Sequence, residues 1–354
     1  MSNLQIGLAV VGGLILAAVV AHSAWSAHKN QPKLATPEAP VDESSVQANI
    51  SDVSGRLEPS FDGDSGLGSL SNFASLLAVD KKPGLDALID VMAPIAVDND
   101  VSGEAALAAM PATRRAGGKP FGVEGLNIAS VQWELASAGQ RYSAFQCGVQ
   151  LANRLGALNQ IEYSEFVMKT QAFADAIGGE PEFPEMLDEV ARARELDQFA
   201  SAHDAQLSFT LRALSTAWSP GYVAQNAARL GFVASSISGR MVLPAAMHGG
   251  APLLGLAFDT QAAMAEDPEQ SALREVTLSL DVPQVPRDEQ PFLRLRESAA
   301  TLAGSMDGVV IDDNGNPIAP EAMDIIGAEL EKLYDTLDAR DLSAGSVIAR
   351  RLFS

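Results

Sequence analysis

The chain opens on an apolar run, IGLAVVGGLILAAVVA at 6–21, with no charge and no strong hydrogen-bonding side chain. With Leu4 and the flank at 23–27 it reaches the roughly 20 residues that a helix needs to cross about 30 Å of hydrocarbon. Trp25 stands where an interfacial aromatic belongs. The rival reading, a cleaved signal peptide, calls for Lys or Arg ahead of the run, and residues 1–5 have neither. The basic residues follow it instead, at Lys29 and Lys33, which predicts an uncleaved span with its C-terminal side in the cytoplasm. The expected location is therefore the cell inner membrane, single-pass, with the N-terminus periplasmic. Ala9, Gly13, Ala17 and Ala21 recur every four residues, a small-residue stripe on which two such helices could self-associate.

Charge narrows the partners. The chain of 354 residues carries 24 Lys and Arg against 45 Asp and Glu, a formal net charge of −21. Phosphate backbones and anionic headgroups repel such a surface, so nucleic acid is not an expected partner and membrane contact falls to the apolar run. Cys147 is the one cysteine, which rules out an intramolecular disulfide and reads as a small buried apolar residue.

Residues 31–76 are rich in Pro, Ser, Asp, Glu and Gly without periodicity, the composition of a disordered linker. A flexible stretch of about 45 residues spans on the order of 35–40 Å. The expected division is an anchor at 1–28, a disordered acidic linker at 29–80, and modules at 81–203 and 204–354. Beyond the linker, strands and helices alternate. The segment at 85–97 reads as a strand or a short buried helix, 148–155 as a strand, 163–177 and 184–199 as helices. AQLSFTLRA at 205–213 alternates strictly, with Leu207, Phe209 and Leu211 on one face. A helix at 219–231 starts on Ser219 and Pro220 and stops on Gly231. Strands at 239–244, 253–258 and 275–283, a helix at 292–306, a strand at 308–312 and a helix at 320–337 complete the pattern. Met323, Ile326, Leu330, Leu333 and Leu337 give the last helix an apolar stripe.

An internal echo runs through it. GVQLANRL before a helix ending AFADAIGG resembles EVTLSLDV before a helix ending ATLAGSMDG, and FPEMLDEV resembles APEAMDII. The expectation is two copies of one module, the first degenerate and without a counterpart of VVIDDNGNPI, with Val149 and Leu151 equivalent to Val276 and Leu278.

The order EVTLSLDVP, acidic loop, helix, GVVIDDNGNPIAPEAM, long helix is similar to the C-terminal FtsZ-binding domain of the ZipA family, bacterial membrane anchors of the FtsZ ring. The resemblance covers the last third closely, and SAGSVIARRLFS at 343–354 extends beyond it. It implies an α+β fold, an antiparallel sheet with helices on one face, and a shallow apolar groove on the open face for the FtsZ C-terminal peptide. Where the family strand has a Phe on that face this chain has Ser279, with Ala152 as the matching first-copy position. Period-two alternation places Val242, Leu253, Ala257, Thr277, Ser279 and Val310 outward as the candidate partner-binding residues. Met241, Leu243, Leu254, Leu256, Phe258, Leu278 and Ile311 are the expected core. The rivals are a membrane-anchored scaffold of the same fold for another division or envelope protein, and a periplasmic lipid- or protein-binding domain, which the Lys placement and single cysteine oppose.

No metalloprotease motif, phosphate loop or nucleophile elbow occurs, so no enzyme and no cofactor are expected. The DDNGN run from Asp312 resembles a calcium loop but has Pro317 at the sixth position and Met323 at the twelfth, and reads as a turn.

Overall fold

The structure, a computed structural model, describes Lys33 and residues 84–245, 250–265, 271–312 and 314–354. The apolar run, its small-residue stripe and most of the expected linker lie outside the described residues. Among the described residues no helix is long and apolar enough to cross a membrane.

The first half runs β1 (Asp90–Ser102), α1 (Gly103–Ala109), β2 (Arg115–Ala116), β3 (Lys119–Asn127), β4 (Trp133–Glu134) and β5 (Arg141–Gln150). A small hairpin of β6 (Ala152–Asn153) and β7 (Gly156–Ala157) follows, then α2 (Gln160–Ile177), β8 (Gly179–Pro181) and α3 (Met186–His203). The sheet order is β2-β3-β5-β1-β8, with β4 on β3. Asn159 and Glu162 start α2 as a capping box, and Gly178 ends it at φ +69°, a left-handed turn that suits glycine. One sheet face, with Val91, Val149 and Phe121 in a row, is buried. Phe145 of the same face meets α2 edge-on at Phe173, ring centroids 5.4 Å apart.

The second half runs β9 (Gln206–Ala213), α4 (Pro220–Ala228), β10 (Val233–Ala234), β11 (Arg240–Leu243), β12 (Leu254–Ala257) and α5 (Thr260–Ala263). Then come β13 (Glu275–Asp281), two 3₁₀ turns, α6 (Pro291–Met306), β14 (Gly308–Ile311), α7 (Pro320–Asp338) and α8 (Val347–Leu352). Its order is β10-β11-β12-β13-β9-β14. Every pairing in both sheets is antiparallel. Ser219 caps α4 as expected, accepting the Tyr222 N–H at 3.1 Å. Met323, Leu330 and Leu337 of the α7 stripe are buried.

The two sheets share their connectivity. A central strand (β1, β9) lies between a long strand (β5, β13) and a short one (β8, β14), and a helix joins the last two. Cross-strand partners set the register. Val91 pairs with Val149 and Val97 with Gly179; Leu207 pairs with Leu280 and Ala213 with Gly308. The two partners on the central strand are six residues apart in each half, so Val149 corresponds to Leu280 and Gly179 to Gly308. The expected equivalence of Val149 with Val276 is therefore four residues out. The counterpart of Ser279 is Gly148, not Ala152, and β14 does have a counterpart in β8.

The C-terminal tail stitches the halves together. Leu352 and Phe353 are buried, and Gln284 donates to the Phe353 carbonyl at 2.7 Å while Gln150 donates to that of Arg351 at 2.8 Å. Arg351 reaches the Gly84 carbonyl at 2.9 Å and the fully buried Asp90 carboxylate at 2.6 Å. Arg154 adds a second stitch, held by Asp204 at 2.6 Å and Asp281 at 2.7 Å.

Lys33 docks on the second half as a one-residue strand. Its N–H donates to Ala217 O at 2.7 Å and its carbonyl accepts from Ser219 N–H at 2.9 Å. The Lys33 ammonium donates to Met306 O at 3.1 Å, at the carbonyl end of α6, where a cation is favoured.

Candidate functional site

Residues directly opposite on antiparallel strands share a face, so the pairings assign the open face of the second sheet without ambiguity. One row across it reads Val233, Val242, Gly255, Ser279 and Ser208. The next reads Arg240, Ala257, Thr277, Thr210 and Ile311. Helices cover the other face, where Met241, Leu256, Leu278 and Phe209 are buried in one row.

Four of the six expected positions, Val242, Ala257, Thr277 and Ser279, share the open face. Ser279 is exposed, and Val242, Ala257 and Thr277 are half-buried. Leu253 does not join them: it precedes β12 and is only 3% exposed, its N–H bonded to Leu243 O. Val310 is on the wrong face. It pairs with Leu211, a fully buried core residue, and packs against the core. Val309 and Ile311 point to the open side instead. Ile311 is buried as expected, but on that side, where the turn at 312–317 folds back to bridge it to Pro317.

Sequence reasoning missed Ser208, Thr210, Gly255, Val233 and Val309. The first two follow from the alternation that placed Leu207, Phe209 and Leu211 inward. Gly255 is hidden inside LLGLAF, and Val233 sits on a two-residue strand with no pattern of its own.

The face is shallow because its centre is built from small groups. A Cβ on Gly255 would stand 2.6 Å from Ser279 Oγ, so only glycine lets that hydroxyl lie across β12. Hydroxyls occupy the middle; Val233 and Val242 supply apolar surface at one margin and Val309 at the other. Arg212 and Glu275 close one end as an ion pair at 2.7 Å.

The corresponding face of the first sheet is not open. Its matching row is Gly122, Gly148 and Met92. Leu85 lies across both glycines: a Cβ on Gly148 would meet its side chain at 2.7 Å, and one on Gly122 at 3.1 Å. The Leu85 N–H donates to Glu124 Oε1 at 3.0 Å, and Gln146 holds the other carboxylate oxygen at 2.8 Å.

Two clefts lie elsewhere. One of about 640 Å³ at the junction of the halves is lined by Asn153, Arg154, Asp197, Asp204, Gln206 and Phe353. Its one guanidinium is already committed to Asp204 and Asp281, which makes it a seam. The other, about 440 Å³, lies between α6 and α7 around Phe292, Gly327, Leu330 and Tyr334. Arg287 stacks over the Tyr334 ring at 5.6 Å and pairs with Glu331 and Asp335, while burial pushes the Tyr334 hydroxyl up to about 12.

Among the described residues no cluster of three His, Cys, Asp or Glu could hold a metal ion. Asp312 uses its carboxylate locally, accepting N–H bonds from Asn314 at 2.9 Å and Asn316 at 2.8 Å, which holds its carboxyl below the usual range. That is the geometry of a side-chain-capped turn, with Gly315 at φ +81°.

Residues 261–329 match the family described as ZipA, C-terminal FtsZ-binding domain. The matched span holds β13, α6, β14 and the first half of α7, which includes one long strand of the open face and its short edge strand. No curated protein matches the chain.

Proposed function

We propose that this chain tethers FtsZ filaments to the cytoplasmic membrane by holding the FtsZ C-terminal peptide on the open face of its second sheet. The observation that carries the reading is the match at 261–329 to a domain described by its FtsZ binding, falling on the half whose sheet face is uncovered. The apolar run at 6–21 supplies the anchor in this reading, with the folded region on the cytoplasmic side. The work is binding: many anchors, each gripping one tail weakly, hold a polymer through effective concentration.

The hydroxyl-rich centre of the face favours one other reading, a membrane-anchored scaffold of the same fold whose partner is another division or envelope protein. Ser208, Thr210, Thr277 and Ser279 offer a peptide little apolar grip.

Titration of a labelled FtsZ tail against the full chain in mild detergent separates the two. Val242→Asp and Ser279→Asp each set a charge where an apolar ligand would desolvate it, and neither side chain belongs to the core. Both changes should weaken binding at least tenfold. Wild-type affinity in both variants removes this face as the site, and no binding by the wild type favours the scaffold.

A further inference from the structure

We propose that the outer face of the first sheet is a peptide groove already filled by this chain's own segment at 84–86, with Leu85 as its anchor, so that of the two matching faces the second is the vacant one. The inference rests on the reading of the second face as a peptide site and says why the first does not compete with it.

Three observations converge. The register makes Gly122 and Gly148 the counterparts of Gly255 and Ser279, because each pair is directly cross-strand at the same place on the shared topology. In the second half Ser279 is exposed and its hydroxyl lies over Gly255. In the first half both positions are glycine, and the space their missing side chains leave is taken by the Leu85 isobutyl group. A Cβ at Gly148 would force the Leu85 side chain to shift, and one at Gly122 would crowd it.

The segment is held as a bound peptide is held, by backbone hydrogen bonds and one apolar anchor. Its Leu85 N–H goes to Glu124, which is 5% exposed and fixed from behind by Gln146. Glu124 and Gln146 occupy the places of Ala257 and Thr277, so the first face carries a carboxylate that the second lacks. The C-terminal tail secures the entry, since Arg351 donates to Gly84 O at 2.9 Å. What the groove recognises is an extended segment presenting a leucine and a free backbone N–H.

Three glycines report the two faces separately: Gly122 and Gly148 on the first, Gly255 on the second. The full chain, labelled with ¹⁵N-glycine in mild detergent, is titrated with two probes. One is the octapeptide KKPGLDAL, the chain's own residues 81–88, at millimolar concentration; the other is the FtsZ tail. In the wild type the octapeptide should leave Gly122 and Gly148 unmoved. Leu85→Asp places a carboxylate beside Glu124 and expels the segment, after which the octapeptide should shift both glycine signals in a saturable way. Leu85→Gly, which removes the anchor without adding charge, serves where the Asp variant does not fold.

If the octapeptide moves neither glycine in the variants, or moves both equally in the wild type, the groove reading of the first face is overturned. The FtsZ tail is read at Gly255. Its failure there counts against the proposed partner and leaves the result at Gly122 and Gly148 standing.

Discussion

Replacing Arg351 with Leu strands a carboxylate. Asp90 is fully buried and has two partners, the Arg351 guanidinium at 2.6 Å and the Asp86 N–H at 2.8 Å. Burial raises the Asp90 carboxyl above its ordinary 3.8 even with the guanidinium in place, because desolvation outweighs the attraction. Removing one member of a buried pair costs about 3–5 kcal/mol, most of it the penalty on the charge left behind. With a urea dependence of roughly 3 kcal/mol per molar, the unfolding midpoint should fall by about 1 M or more. Loss of the guanidinium also removes what held the carboxyl down, so its folded-state value rises further. A raised folded value means that the folded chain binds the proton first, so the variant's deficit is full above that value and shrinks as pH falls towards 3.8. The assay is urea unfolding of the full chain at pH 8 and pH 5, followed by fluorescence of the fully buried Trp218. Asp90→Asn combined with Arg351→Leu should recover most of the loss. A midpoint unchanged at pH 8, or failure of Asp90→Asn to recover the loss in the Arg351→Leu background, would refute the argument.

Phe353→Ala should cost about 3–5 kcal/mol, as for a fully buried aromatic, and should loosen both halves together in hydrogen exchange. Burial pushes the Cys147 thiol up to about 12, so maleimide at pH 8 should leave it unmodified until the chain is unfolded. Asp312 should titrate below 3.8 by NMR; its carboxylate helps hold the turn above that value, and the contribution is lost as pH falls through the folded value. Gly148→Ala brings a Cβ to 2.7 Å from Leu85 and 3.1 Å from the Val91 carbonyl, and should cost about 1–3 kcal/mol by calorimetry.

The second half was legible because its strands bury one face and expose the other. Strict alternation in β9 and β13 gave the correct core face, and the Ser219 cap marked the start of α4, which ends at Ala228 with Arg229 as its C-cap, short of the expected stop at Gly231. Alternation fails where a strand is short or covered on both sides. GVVI is apolar throughout, so nothing in it says whether Val310 or its neighbours face the helices; the pairing with Leu211 decides. In the first half β3 and β5 read KPFGVEGLN and RYSAFQCGVQ, with glycines and carboxamides where a covered face admits Leu85 and its polar partners. That cover is tertiary and leaves no local pattern. The tail helix α8 was invisible for the same reason, since VIARRL gains its burial from surfaces contributed by both halves.

If the chain is a membrane tether as proposed, the Lys33 contact changes what sets the height of the folded region above the membrane. Position 33 and position 84 are both attached to the same body, so the length of chain between them does not enter the leash. In the tether reading the leash is only the stretch from 28 to 33, which at about 3.5 Å per residue extends to roughly 18 Å, against 35–40 Å for the whole segment as a free coil. Loop closure depends on length only logarithmically, so insertions or deletions between 34 and 83 would leave standoff nearly untouched. Standoff is instead a property of a single backbone register, the one that places Lys33 beside Trp218.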